Sequence, residues 1–122
     1  MKKLILGALL IALPLSALQA MNVAAFLQKA DALEKKGMMA LFSSDYRLLK
    51  SEVEAASATL RTERLAAERI HRHGAYCPPA QAGLKSDEIL AYFRAIPAAQ
   101  RPRMDVKVAL RGLLARKYPC RG

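Results

Sequence analysis

Two cysteines and two histidines are the residues of this chain best suited to chemistry beyond packing. Cys77 and Cys120 lie 43 residues apart, and each adjoins a proline. His71 and His73 are the only histidines. The chemistry to be decided is therefore that of a disulfide, a free or reactive thiol, or a metal site.

The first twenty residues predict export, which decides what the cysteines can do. Lys2 and Lys3 precede an uncharged, leucine-rich stretch from Leu4 to Leu15, and small residues follow. This is the pattern of a secretory signal peptide with cleavage near Ala20. The stretch is too short to cross a bilayer, so we expect no stable membrane span after cleavage. The mature chain, 21–122, is predicted to be periplasmic.

An oxidising compartment favours a disulfide between Cys77 and Cys120. Closing a loop of 43 residues stabilises a fold by about 4 kcal/mol in the chain-entropy estimate. The alternatives are two free thiols and a metal site. No neighbouring residue in the sequence supplies the base that a reactive thiol needs, and the spacing is not that of a zinc motif.

The remaining polar residues offer no catalytic constellation. On one helix, His71 and His73 would point apart, and two ligands do not make a metal site. Ser43, Ser44 and Ser86 are explained as helix caps. The sequence contains no nucleophile elbow, zinc-protease motif or phosphate loop. We therefore predict a protein that is not an enzyme and that holds no metal or cofactor.

Apolar residues recur every three or four positions through most of the mature chain, which predicts helices. No segment alternates long enough to form a strand. We predict an all-α fold, a small four-helix bundle with one long helix, forming a single domain over 21–122 and stapled by one disulfide. The predicted helices are 22–36, 44–72, 86–96 and 104–117, with an apolar bridge at 38–42, a linker at 74–85 and a polar turn at 97–103.

The net charge of +10 is concentrated near the C-terminus. Residues 94–122 carry eight basic side chains against Asp105 alone. Arg103, Lys107 and Arg111 are four residues apart and would share a helix face. Export argues against nucleic acid as the partner. An acidic protein surface, an anionic lipid or cell-wall polymer, and a merely solvated face remain open.

The long predicted helix, 44–72, has a narrow apolar stripe that is rich in alanine. Such a stripe is typical of a bundle helix that its neighbours approach closely. The alternative is a seam for another protein or for a second copy of the chain, which would make a homodimer.

An ordered set of residues in the second half resembles a known family. The set consists of Tyr76-Cys77-Pro78-Pro79, Leu84, Tyr92, Pro97, Ala109-Leu110 and Tyr118-Pro119-Cys120. It is similar to the Rap/Tai family of small exported immunity proteins of type VI secretion. The resemblance covers about residues 40–120. It implies a helical periplasmic protein that binds a peptidoglycan amidase effector and blocks it.

The functional hypothesis is therefore an immunity-type protein with a protein partner. The contacts that we expect lie in the loop after Cys77 and in the basic segment, and they are Pro78, Pro79, Gln81, Arg101, Arg103, Lys107 and Arg111. The alternative is a periplasmic structural or acid-stress chaperone-like protein whose alanine seam opens at low pH.

Overall fold

In the computed structural model, residues 20–121 are described, so the predicted leader lies outside the described residues except for Ala20. The described chain forms α1 (Val23–Lys36), α2 (Ser44–Arg69), α3 (Ser86–Ala95) and α4 (Val106–Lys117). Short 3₁₀ turns occupy Gly37–Phe42 and Arg101–Arg103. Over residues 20–121 the only β pairing is a single bridge between Asn22 and Asp105. The predicted all-α fold is confirmed.

Helix α1 begins and ends as its sequence predicts. The Asn22 side-chain oxygen accepts a hydrogen bond from the Ala25 N–H at 2.8 Å, so one of the free donors of the first turn is satisfied. Gly37 has a φ of 57°, a conformation that glycine adopts at little cost, and the chain leaves the helix there.

Helix α2 ends earlier than predicted, at Arg69 rather than about residue 72. His71 adopts a left-handed φ of 56°. The Arg72 N–H donates to the Ala67 carbonyl at 2.9 Å and the His71 N–H to the Glu68 carbonyl at 3.0 Å. These two bonds form a Schellman motif in which histidine occupies the position usually held by glycine.

Two other helix starts differ from the prediction. Lys85 occupies the N-cap position of α3 without a side-chain capping bond, and Ser86 is the first helical residue rather than the cap. Helix α4 begins at Val106 rather than 104, because the preceding residues are extended and pair with the chain before α1. The Val23 N–H donates to the Met104 carbonyl and the Val106 N–H to the Met21 carbonyl, both at 2.9 Å.

The helices pack around α1 and α4, each of which contacts the other three helices. Phe26 of α1 and Phe93 of α3 meet edge to face at the centre, with ring centroids 5.2 Å apart. Among the described elements, α2 and α3 have no pair of Cα atoms within 8 Å of each other. The bundle is therefore open on one side, between α2 and α3.

The sequence predicts no stable membrane span in the mature chain, and the described residues bear on that prediction. None of their helices combines the length and the apolar character that a transmembrane span requires.

Candidate functional site

The predicted disulfide is present, and it fixes the linker 74–85 to the end of α4. Cys77 and Cys120 are bonded, with Cα atoms 4.9 Å apart. The Cys77 N–H donates to the Tyr118 carbonyl at 2.8 Å, and the Lys117 ammonium donates to the Gly83 carbonyl at 3.0 Å. The bridge therefore has a structural role in holding the linker.

His73 lies beside the bridge, which sequence spacing did not indicate. Its Nδ1 is 4.0 Å from the Cys77 sulfur, and the donor atoms of His73, Cys77 and Cys120 lie within 4.8 Å of one another. Both sulfurs are engaged in the disulfide, whereas a metal is bound by the thiolate. The histidine reaches this place because α2 ends at Arg69 and the chain turns back through His71.

Two of the predicted contact residues bind a carboxylate of the same chain. The Lys107 ammonium and the Arg111 guanidinium lie 3.0 and 3.1 Å from the two oxygens of Glu63 on α2. Their hydrogen bonds lower the pKa of Glu63 below its ordinary value. These cations tie α4 to α2, so their charge is partly neutralised within the fold.

Arg101 is also engaged within the chain. Its guanidinium donates to the Ile96 carbonyl at 2.9 Å and to the Arg94 carbonyl at 2.7 Å, where the last carbonyls of α3 lack helical partners. Arg94 in turn binds Glu34 at 2.7 Å and Asp31 at 3.0 Å, and these bonds raise the pKa of Arg94. Arg101 thus holds the turn that connects α3 to α4.

Apart from Lys107 and Arg111, which lie on α4 itself, the predicted contact residues lie beyond the two ends of that helix. Pro78, Pro79 and Gln81 lie in the linker that is bonded to the C-terminal end of α4, and all but the half-buried Pro78 are exposed. Arg101 and Arg103 precede the N-terminal end of the same helix. The 12 residues of α4 span about 18 Å, so the two groups lie at opposite ends of it.

An apolar groove with a volume of about 500 Å³ lies on the open side of the bundle. Helix α1 forms its floor, α2 forms one wall, and the end of the linker with α3 forms the other. Its apolar lining consists of Phe26, Ala30, Leu33, Ala40, Tyr46, Leu49, Val53, Leu84, Ile89 and Leu90. The sequence did not predict this groove, because it depends on the separation of α2 from α3.

The 3₁₀ turn Gly37–Phe42 lies at one end of the groove. A 3₁₀ helix has three residues per turn, so residues three apart share an edge. Gly37 and Ala40 share the edge that lines the groove. Met38, Met39, Leu41 and Phe42 occupy the other two edges and are 83%, 67%, 55% and 77% exposed.

Comparison with models of protein families, with curated proteins and with solved structures finds no match for this chain.

Proposed function

We propose that this chain is an exported binding protein of the immunity type, which inhibits a type VI secretion cell-wall amidase effector by holding an apolar helical segment of that enzyme. The observation that carries the proposal is the groove between α2 and α3. An open apolar groove with helical walls is a common means of protein recognition. The resemblance to the Rap/Tai family supports the choice of partner.

The walls of the groove favour a helix as the occupant. Val53 of α2 and Leu90 of α3 face the same space and are only partly buried, and no element described lies between them. A helix placed there would pack its side chains between those of α2 and α3, as neighbouring helices do in a bundle. We expect its anchors to be apolar residues at positions i, i+3 or i+4, and i+7.

The charged residues that line the groove form salt bridges within the chain. Glu34 is bound by Arg94 at 2.7 Å, and Lys50 lies 4.0 Å from Glu54. Paired rim charges add little attraction for a charged segment, so affinity in the groove should come from apolar burial. The linker residues and Arg103 remain proposed as outer contacts.

Substitution in the groove tests this proposal. The variant Leu90→Lys places a charge in the apolar lining. We expect its inhibition of a candidate amidase to be weaker at least about tenfold, because burial of an apolar anchor side chain contributes on the order of 2 kcal/mol to binding. Peptidoglycan hydrolysis is measured with increasing amounts of wild type and variant, after circular dichroism has shown that both are folded.

Val108→Lys is the matched control, because Val108 is an apolar side chain on α4 that is 42% exposed and does not line the groove. It should inhibit like the wild type. The proposal is wrong if Leu90→Lys inhibits as well as the wild type. Failure of the wild type to retain any cell-wall hydrolase from an envelope extract would count against the immunity role itself.

A further inference from the structure

Four strongly exposed apolar side chains stand together on the 3₁₀ turn between α1 and α2. We call Met38, Met39, Leu41 and Phe42 the apolar tip. All four are more than half exposed, and none of them lines the groove. A contiguous exposed apolar patch of this kind marks an interaction surface. The tip is a second surface, and it needs an explanation that the groove does not provide.

Three cations flank the tip in the sequence, and none of them has a carboxylate partner among the described residues. Lys35 and Lys36 directly precede it and Arg47 follows it, and all three are exposed. Among the salt bridges of residues 20–121, none includes these three side chains, which we call the basic collar.

The nearby carboxylates are already engaged by other cations. Glu34 is bound by Arg94 at 2.7 Å, and Asp45 is bound by Lys29 at 3.2 Å. The surface around the tip is therefore positively charged, and its complement is a surface of negative charge that can also accept apolar side chains.

We propose that the apolar tip inserts into the interfacial region of an anionic lipid bilayer, with the basic collar at the level of the lipid phosphates. The four side chains of the tip are strongly exposed and none of them lines the groove, and a fluid bilayer accepts exposed apolar side chains without a preformed pocket. Apolar insertion and cationic attraction act together at such interfaces. This inference does not depend on the groove, because the two sets of side chains lie on different edges of the turn.

Vesicle binding tests the inference directly. The protein used is the chain from Met21, which contains all the core side chains of the described fold. We expect it to co-sediment with phosphatidylglycerol vesicles and to bind phosphatidylcholine vesicles at least about tenfold more weakly, because juxtamembrane cations are attracted by anionic lipid. High salt should weaken the binding by screening the collar.

Two variants separate the contributions of tip and collar. We expect Met39→Ser with Phe42→Ser, and separately Lys35→Gln with Lys36→Gln, each to weaken binding to anionic vesicles at least about tenfold. Ile70→Ser is the matched control, since Ile70 is 63% exposed and lies at the far end of α2. It should bind like the wild type.

A tryptophan at the tip reports insertion, since the chain contains none. Emission from Phe42→Trp should shift to the blue with anionic vesicles, whereas emission from Ile70→Trp should not. The inference is overturned if the wild type does not bind these vesicles, or if the tip variant binds as well as the wild type. It is also overturned if tip substitution abolishes capture of a protein partner and leaves vesicle binding unchanged.

Discussion

Removing the disulfide should cost this fold a large share of its stability. The bridge closes a loop of 43 residues, for which the chain-entropy estimate gives about 4 kcal/mol. The whole free energy of unfolding of a typical domain is about 5–15 kcal/mol. For a domain of this size, 1 kcal/mol shifts the Tm by about 4–8 °C, so the Tm of Cys77→Ser with Cys120→Ser should fall by at least about 15 °C.

The folded state itself should change little in this variant. The expected loss of stability therefore comes from the greater conformational freedom of the unfolded chain. Cys77 is exposed and Cys120 is half-buried, so serine fits both positions without a large loss of packing. The linker also keeps its hydrogen bond from the Cys77 N–H to the Tyr118 carbonyl at 2.8 Å. Tyr76, which is 6% exposed, still anchors it to the core.

Thermal melts followed by circular dichroism measure the effect. The wild type under a phosphine reductant should melt near the double variant, and the reductant should not change the melting of the variant. The reasoning is refuted if the double variant melts within about 4 °C of the oxidised wild type, since that corresponds to about 1 kcal/mol or less.

Two further predictions concern contacts between helices. Bonds from Lys107 and Arg111 lower the folded pKa of Glu63, so their stabilising effect is present at neutral pH and is lost as the pH falls through that pKa. Glu63→Gln should therefore be less stable than the wild type at pH 7 and equal to it in strong acid. A difference in stability that persists unchanged in acid would contradict this, and it would also weaken the hypothesis that the alanine seam opens at low pH. A Cβ atom at Gly112 would lie 2.5 Å from the Tyr92 hydroxyl oxygen but 3.4 Å from the next ring atom. Gly112→Ala should therefore yield its helix-propensity gain of about 1 kcal/mol only together with Tyr92→Phe, and additive effects in a double-mutant cycle would show that the ring moves aside freely.

The helices that local patterns define were predictable from the sequence. In α1 the apolar spacing, the capping Asn22 and the terminal Gly37 all agree, and the structure follows them. The disulfide was predictable for a similar reason, because an even pair of cysteines leaves few alternatives once the signal-peptide pattern predicts an oxidising compartment. Each of these inferences depends only on neighbouring residues or on the oxidising compartment that the leader pattern predicts.

The boundaries that differ depend on residues distant in sequence or on an unfavoured conformation. Helix α4 starts late because the extended residues Met104 and Asp105 pair with Val23 and Asn22, more than eighty positions away. Helix α2 ends early because His71 takes a left-handed conformation that costs a non-glycine residue roughly 1–2 kcal/mol. No pattern of apolar spacing could have predicted either event.

Ion pairing within the fold explains why the basic segment 94–122 is not the main candidate for a positively charged binding surface. Counted along the chain, the excess of cations lies in residues 94–122. In the fold, four of those eight side chains form salt bridges with carboxylates from α1, α2 and α3, at separations of 29 to 63 residues.

The cations without such partners include Lys35, Lys36 and Arg47. These three lie in residues 21–93, where basic and acidic side chains are nearly equal in number. Ion pairing depends on which helices meet, and the basic stretch meets the acidic faces of its own bundle. A charge excess along a chain therefore predicts a binding surface only after the internal pairs have been removed, and three of the cations that keep no carboxylate partner among the described residues adjoin the exposed apolar turn in sequence.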